Sequence, residues 1–234
     1  MQKLKITLLL VFTFSATVIY AQKGLDKIIV SQDWMQKHLD DENLVVLHVR
    51  GQKEFDEGHI KGSQFIDARD YAVMSGELAW ELPEADSLSA ILRNRGVSSK
   101  SKIVLVHGST DHAATFRLYF TLDYFGLSKN TVILDGGLKG WNFKGLETTQ
   151  ESSVNAVVAK SDLKLKVNRS IKVDKDYVKT NVGTNKVNVI DARRENFYDG
   201  SEKGNYKRGG HVAGAGNVCW LDIVDDNLFM KSSD

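Results

Sequence analysis

The sequence contains very little cysteine and very little proline. Its 234 residues include one cysteine, Cys219, and one proline, Pro83. A single cysteine cannot form a disulfide within the chain, so the fold does not depend on one. The six histidines are scattered and do not combine with the cysteine at the spacing of zinc ligands. A disulfide-braced fold and a zinc module of the usual pattern are therefore excluded.

An excess of charge of one sign is also missing. The 31 basic and 30 acidic residues give a formal net charge of +1, and no long basic run occurs. Nucleic acid is therefore not an expected partner. The apolar content of 42% and the charged content of 26% are typical of a soluble globular protein. The length allows one large domain or two ordinary ones.

The first residues have the pattern of a secretory signal peptide. Lys3 and Lys5 precede an apolar stretch at residues 6–20, and Ala21 offers a small residue at a cleavage site. The alternative is an uncleaved membrane anchor, although the apolar stretch is short for a membrane span. We expect residues 1–21 to be removed, leaving a protein that is periplasmic or secreted by a bacterium and has no further membrane contact.

The first half of the sequence alternates short apolar runs with helical patterns. The runs LVVLHV, KIVLVH and TVILDGG, which begin at Leu44, Lys102 and Thr131, have the length of buried strands. A helix that Ser31 can cap precedes the first of these runs, and a strongly apolar helix that stops at Gly126 lies between the second and the third. This alternation predicts an α/β fold with a parallel sheet covered on both faces. Functional groups in such sheets lie at the carboxyl ends of strands.

A second segment repeats the plan of the first. Residues 147–170 are polar and lack helical periodicity, which predicts a linker that runs extended across the first domain. After it, VDKDYVKTNVG resembles SQDWMQKHL, VNVIDAR resembles VVLHVR, and GGHVAG resembles EGHIKG, with SEKGNYKRG inserted in the later copy. We therefore predict two domains of one type, at residues 26–146 and 171–234.

These motifs resemble the tandem-domain rhodanese family, which includes thiosulfate and 3-mercaptopyruvate sulfurtransferases. VIDARRENFYDG followed by GGHVAGAGNVCW is similar to the opening half of a rhodanese domain. VVLHVRGQKEFDEGHIKGSQFI and VILDGGLKGW are similar to the beginning and end of another. The sequence departs from the pattern at His48, where the family has the Asp that Asp191 retains, and at Lys61 and Ala213, where the family usually has Pro.

The resemblance implies sulfur transfer through a cysteine persulfide. In this chemistry a thiolate is held by converging backbone N–H groups at a helix N-terminus, without a metal or cofactor. The implied partners are a small anionic sulfur donor, thiosulfate or 3-mercaptopyruvate, and a thiol or cyanide-like acceptor. In tandem members the thiol lies in the second domain. The corresponding loop of the first domain holds no cysteine, as a non-catalytic domain should; it consists of His107, Gly108, Ser109, Thr110, Asp111 and His112.

The resemblance also implies that the second domain is incomplete. Residues 171–234 correspond only to its N-terminal half, and LDIVDDNLFMKSSD is expected to lead into its next helix. The expected nucleophile would then lie beyond Asp234, and the chain would be truncated at its C-terminus.

Four residues of the second segment are candidates for the edge of a substrate site. The resemblance implies that Asp191 and Arg193 organise this edge by pairing and by hydrogen bonds to the backbone. Arg208 could present a cation to an anionic donor, because a guanidinium matches oxyanions well, or it could be a solvated surface residue. His211 is expected to fix the turn that contains it rather than to move protons.

Three alternatives remain open from the sequence. Cys219 could replace the missing nucleophile, although no loop rich in Gly, Ser or Arg follows it, and we expect a small, partly buried residue. His107, Ser109 and Asp111 have the chemistry of a hydrolase triad but lack a nucleophile-elbow pattern. The third alternative is a non-catalytic module that binds an anion or a protein. His48 in place of the family aspartate and the absence of the expected nucleophilic cysteine favour it.

Overall fold

The computed structural model describes residues 28–108, 112–151 and 163–232. The predicted signal peptide at residues 1–21 lies outside this range, as do Ser109, Thr110 and Asp111 of the first-domain loop. No helix in the described ranges is both long enough and apolar enough to cross a membrane.

Helices and strands alternate through the first part of the chain and become shorter in the second. The described helices are α1 (Gln32–His38), α2 (Gln52–Glu57), α3 (Ala68–Tyr71), α4 (Ala85–Arg93), α5 (His112–Tyr124), α6 (Gly137–Phe143), α7 (Lys175–Asn181) and α8 (Glu195–Asp199). The strands are β1 (Ile29–Val30), β2 (Leu44–Val49), β3 (Gln64–Ile66), β4 (Val73–Ser75), β5 (Leu78–Glu81), β6 (Lys102–His107), β7 (Thr131–Leu134), β8 (Ile190–Asp191) and β9 (Gly216–Asn217).

A five-stranded parallel sheet forms the centre of the first domain. Its strand order is β1-β7-β6-β2-β3. Strand β2 lies between two neighbours and pairs with β6 over its full length, from Leu44 opposite Lys102 to Val49 opposite His107. Because β2 and β6 are parallel, their carboxyl ends meet at one edge of the sheet.

Both faces of this sheet are covered, as the apolar runs predict. Successive residues of a strand point to opposite faces, so Leu105 and Val104 enter different clusters. One cluster contains side chains of α3, α4 and α5, and the other contains side chains of α1 and α6. The predicted α/β class, with a parallel sheet between helices, is confirmed for the first domain.

Local signals place several element ends correctly. The Ser31 hydroxyl accepts a hydrogen bond from the Trp34 backbone N–H at 3.2 Å and so caps α1.

A hairpin formed by β4 and β5 is an addition that the sequence did not indicate. The Arg117 side chain, on α5, donates to the Trp80 carbonyl oxygen of this hairpin. A contact between segments so distant in sequence leaves no periodic signal in either of them.

The residues that follow the first domain run along its surface. Leu163 is buried within the cluster that contains α5. The Lys166 backbone N–H donates to the Phe125 carbonyl oxygen at 2.9 Å. Gly126 has φ +80°, and a Cβ there would lie 2.7 Å from the Lys166 oxygen, so the approach of the two backbones requires glycine.

The second segment, residues 171–232, repeats local geometry of the first domain. Strands β8 and β9 are parallel, with Ile190 opposite Gly216. In the first domain, β2 and β3 are parallel with Leu47 opposite Gln64. These are the positions that the motif alignment equates. The pairing register is therefore the same in both places, although a nine-residue insertion separates β8 from β9.

The end of the second segment forms a hairpin. Residues 223–231, which we call the edge hairpin, do not lead into a helix within the described range. Val224 and Met230 form an antiparallel bridge, and the Asp225 carboxylate accepts hydrogen bonds from the backbone N–H groups of Asn227 and Phe229. These hydrogen bonds to the Asp225 carboxylate close a tight turn.

The edge hairpin contacts the first domain at the carboxyl edge of its sheet. The Met230 backbone N–H donates to the Asp135 carboxylate at 2.8 Å. Phe229 lies so close to Gly136 and Gly140 that a Cβ at either position would be 2.9 Å from its ring. Small residues in this turn and in α6 therefore make room for the aromatic side chain.

We predict that limited trypsin digestion cuts the second segment first. Its basic residues Lys186, Lys203, Lys207 and Arg208 are exposed, and its only described strands, β8 and β9, have two residues each. The five-stranded sheet should protect the first domain. Mass spectrometry of early fragments should show cuts between residues 183 and 209. Equal cleavage rates in both parts would contradict this expectation.

Candidate functional site

Three histidines meet at the carboxyl edge of the first-domain sheet. His48 and His107 lie near or at the ends of β2 and β6, and His112 begins α5. Their exposed fractions are 0%, 3% and 1%. The ring centroids of His107 and His112 are 5.9 Å apart. The strand–loop–helix arrangement thus brings these three histidines together. Ser109 and Asp111, which the hydrolase alternative requires, lie outside the described range.

Burial keeps two of these imidazoles neutral near pH 7. Desolvation lowers the pKa of His48 to about 4 and outweighs the attraction of the Glu54 carboxylate. Burial likewise lowers the pKa of His107 to about 4. His107 Nδ1 lies 2.9 Å from the Gly108 carbonyl oxygen, which can only accept, so Nδ1 carries the proton. The edge therefore supplies no cation near neutral pH from these two rings.

Glu54 is a member of this edge that the sequence analysis missed. Its carboxylate lies against Gly108, where a Cβ would be 2.0 Å from Oε2. Any larger residue at position 108 would therefore displace either the loop or the carboxylate. The only sequence signal is the place of Glu54 in α2, the short helix that follows β2, and an exposed acidic residue would give the same pattern.

The edge hairpin and its flanking residues close this part of the molecule. His112 Nε2 donates to the Trp220 carbonyl oxygen at 3.3 Å, and the two rings meet edge to face with centroids 4.6 Å apart. Among the described residues, a cavity bordered by His107, His112, Leu228 and Met230 has a volume of about 10 Å³. Such a space holds about one water molecule.

In the second segment, Arg193 connects the end of β8 to the turn that contains His211. Its Nη2 lies 2.6 Å from an Asp191 carboxylate oxygen and also donates to the Gly210 carbonyl oxygen at 2.8 Å. The hydrogen bonds from Arg193 hold the pKa of Asp191 below its usual value. Asn217, which the sequence analysis did not identify, donates to the Asp191 and Arg193 carbonyl oxygens at 2.7 and 2.9 Å.

The histidine turn has the same internal contacts in both parts of the chain. His59 stacks on Phe55 with centroids 3.9 Å apart, and His211 stacks on Tyr198 at 3.7 Å. His59 Nδ1 donates to the Phe55 carbonyl oxygen at 2.8 Å, and His211 Nδ1 donates to that of Tyr198 at 2.7 Å. Each imidazole therefore ties the turn to the preceding helix.

The other two candidates lie apart from these contacts. Arg208 is exposed at the end of the insertion, two residues before Gly210. Cys219 is a free, buried thiol, 8% exposed, that follows β9 and precedes Trp220. No group of three or more His, Cys, Asp or Glu residues in the described ranges is arranged to hold a metal ion.

The fold and the histidine turns define an α/β protein of the rhodanese type. Residues 31–144 match the family model of the rhodanese-like domain. The chain therefore contains a rhodanese-like domain at residues 31–144.

Similar proteins include two sulfurtransferases and a solved structure. The 3-mercaptopyruvate sulfurtransferase of Escherichia coli strain K12 is 27% identical over 217 residues, which cover 88% of this chain and 75% of that protein. Thiosulfate sulfurtransferase of Gallus gallus is 28% identical over 183 residues, covering 77% of this chain and 61% of its own length. The crystal structure of SseA from Escherichia coli, described with the rhodanese fold of 3-mercaptopyruvate sulfotransferases, is 25% identical, with a TM-score of 0.74, covering 87% of this chain and 79% of that one.

We predict that the free energy of unfolding of the first domain falls as the pH drops from about 6.5 to about 4. Below the unfolded-state pKa of histidine, the unfolded chain binds protons that folded His48 and His107 exclude. Each group with such a shift costs about 3 kcal/mol once the pH reaches its folded-state pKa.

The substitution His48→Leu tests this expectation. The His48 ring makes no hydrogen bond to another side chain within the described residues, and burial outweighs its weak interaction with the Arg50 backbone, so leucine should not destabilise the domain near pH 7. It should remove about half of the loss between pH 7 and pH 4, measured by urea unfolding at each pH. An unchanged pH profile would show that His48 does not titrate in this way.

Proposed function

We propose that this chain is part of a sulfurtransferase of the tandem rhodanese type. In this proposal residues 26–146 are a non-catalytic rhodanese-like domain, residues 147–170 are a linker, and residues 171–234 begin a second rhodanese-like domain. The supporting observation is the repeated geometry: the two histidine turns make the same stacking contact and hydrogen bond, and β8–β9 keeps the register of β2–β3.

The proposed reaction moves a sulfane sulfur from thiosulfate or 3-mercaptopyruvate to a thiophilic acceptor. A cysteine thiolate attacks the donor sulfur and forms a persulfide, with sulfite or pyruvate released; the acceptor then takes the outer sulfur and regenerates the thiolate. The sulfurtransferases to which the chain is similar support this assignment, and the chain spans 61% of the length of one and 75% of the other.

The second segment would supply the edge of the site rather than its nucleophile. Asp191, Arg193 and Asn217 fix the end of β8 against the histidine turn, and Arg208 lies exposed beside that turn. Cys219 is buried beyond β9, outside a strand-to-helix loop, so we assign the persulfide to a thiol that these residues do not include. We also propose that the protein is periplasmic or secreted, on the signal-peptide pattern of residues 1–21.

A second candidate is a non-catalytic rhodanese-like module. Its support is the closed edge of the first domain, where His48 replaces the family aspartate and the edge hairpin leaves room for about one water. Such a module would bind an anion or a protein through the second segment. The coding DNA after the Asp234 codon separates the two candidates. A frame that continues into a strand and a cysteine-led loop favours the enzyme, and a stop codon favours the module.

We predict that the purified 234-residue chain forms no thiocyanate from thiosulfate and cyanide above the rate without protein. It should also release no pyruvate from 3-mercaptopyruvate. The reason is that its one cysteine is buried and lies outside a thiol loop. The matched control is Cys219→Ser. Turnover that this substitution abolishes would identify Cys219 as the nucleophile, and turnover that survives it would refute a cysteine persulfide in this chain.

A further inference from the structure

The chain from β9 to the edge hairpin connects the second segment to the histidine edge of the first domain. Directly after β8, the Ala192 carbonyl oxygen accepts a hydrogen bond from the Trp220 backbone N–H at 3.0 Å. The Trp220 ring meets His112 edge to face, and the edge hairpin then reaches Asp135, directly after β7. The same stretch of chain therefore contacts the end of β8 and the carboxyl edge of the first-domain sheet, where functional groups of parallel sheets lie.

Neighbouring residues of the edge hairpin hold it on the first domain. The Phe229 ring lies in a gap left by Gly136 and Gly140, which we call the glycine notch. A Cβ on either glycine would be 2.9 Å from a carbon of this ring. The Met230 backbone N–H donates to the Asp135 carboxylate at 2.8 Å. Because Phe229 and Met230 are adjacent, the ring contact and the hydrogen bond form or break together.

The closed arrangement also has energetic costs. Leu228 has φ +66°, a left-handed conformation that is strained for a residue with a Cβ. His112 Nδ1 is buried and has no hydrogen-bond partner among the described residues, which is unfavourable for a polar atom. Release of the hairpin would remove both costs, because Leu228 could relax and water could reach His112. The closed state therefore depends on the contacts of Phe229 and Met230.

We propose that the edge hairpin is a lid on the carboxyl edge of the first domain, held shut by Phe229 in the glycine notch. In the closed state, the space beside His107 and His112 holds about one water molecule. In the open state, Trp220 leaves His112 and solvent reaches the imidazole. The lid thus controls access to this edge, and it does so independently of any sulfur chemistry.

Chemical modification of His112 measures the opening of the lid. Diethyl pyrocarbonate acylates imidazole nitrogens that solvent reaches, and mass spectrometry of peptides reads each histidine separately. In the full chain, Phe229→Ala should raise the rate of His112 modification about tenfold, because the ring that fills the notch is lost. Lys231→Ala, at an exposed residue of the same hairpin, is the matched control and should leave the rate unchanged. His38, on α1, is the internal reference.

An exchange of side-chain sizes tests the fit of the ring in the notch. Gly140→Ala adds a methyl group that meets the Phe229 ring, so it should open the lid even though alanine favours helix α6. Combining Gly140→Ala with Phe229→Leu should close the lid again, because leucine lacks the ring carbons that this methyl group meets. Asn142→Ala, on the same helix, controls for helix propensity alone.

Amide hydrogen exchange gives a second readout of the same motion. The Met230 amide should exchange faster in Phe229→Ala than in the parent chain, while the amides of β6 stay protected. Unchanged His112 modification in Phe229→Ala and Gly140→Ala would overturn the proposal, as would a double variant no better protected than Gly140→Ala. A parallel rise in His38 modification would also overturn it, because the change would then be general unfolding. None of these outcomes depends on thiocyanate formation, which tests sulfur transfer alone.

Discussion

Pairing of β2 on both sides is the interaction on which the first domain depends. It joins β3 and β6 into one parallel sheet, and it brings the carboxyl ends of β2 and β6 to the same edge. Helices can then cover both faces, and His48 and His107 become buried where they meet. In the second segment the counterpart of β2, strand β8, pairs only with β9 among the described residues. A core like that of the first domain does not form among those residues.

The local sequence predicts the strands and the helix ends, but it does not predict the contacts between segments that are distant in the chain. The apolar runs at Leu44 and Lys102 predict buried strands because central parallel strands are covered on both faces. Ser31 predicts a cap because its partner lies three residues away. Glu54 against Gly108, and the edge hairpin against Asp135, depend on residues that only the folded chain brings together. The turn of the edge hairpin is held by local hydrogen bonds from the backbone N–H groups of Asn227 and Phe229 to the Asp225 carboxylate.

Strands β2 and β8 show how one backbone arrangement supports side chains of different chemistry. His48 and Asp191 occupy equivalent strand positions, yet His48 is a buried neutral ring and Asp191 is an ionised partner of Arg193. The sequence revealed this substitution directly. It could not reveal that the first-domain edge is closed by the edge hairpin, because that closure joins segments about a hundred residues apart in the chain.

The insertion at residues 201–209 has a separate consequence. Tyr198 and His211 flank it, yet their rings stack as closely as those of Phe55 and His59, which have no insertion between them. The length of the polypeptide at this point is therefore uncoupled from the arrangement of the sheet. This exposed segment can therefore change in length or in charge without disturbing the scaffold beneath it.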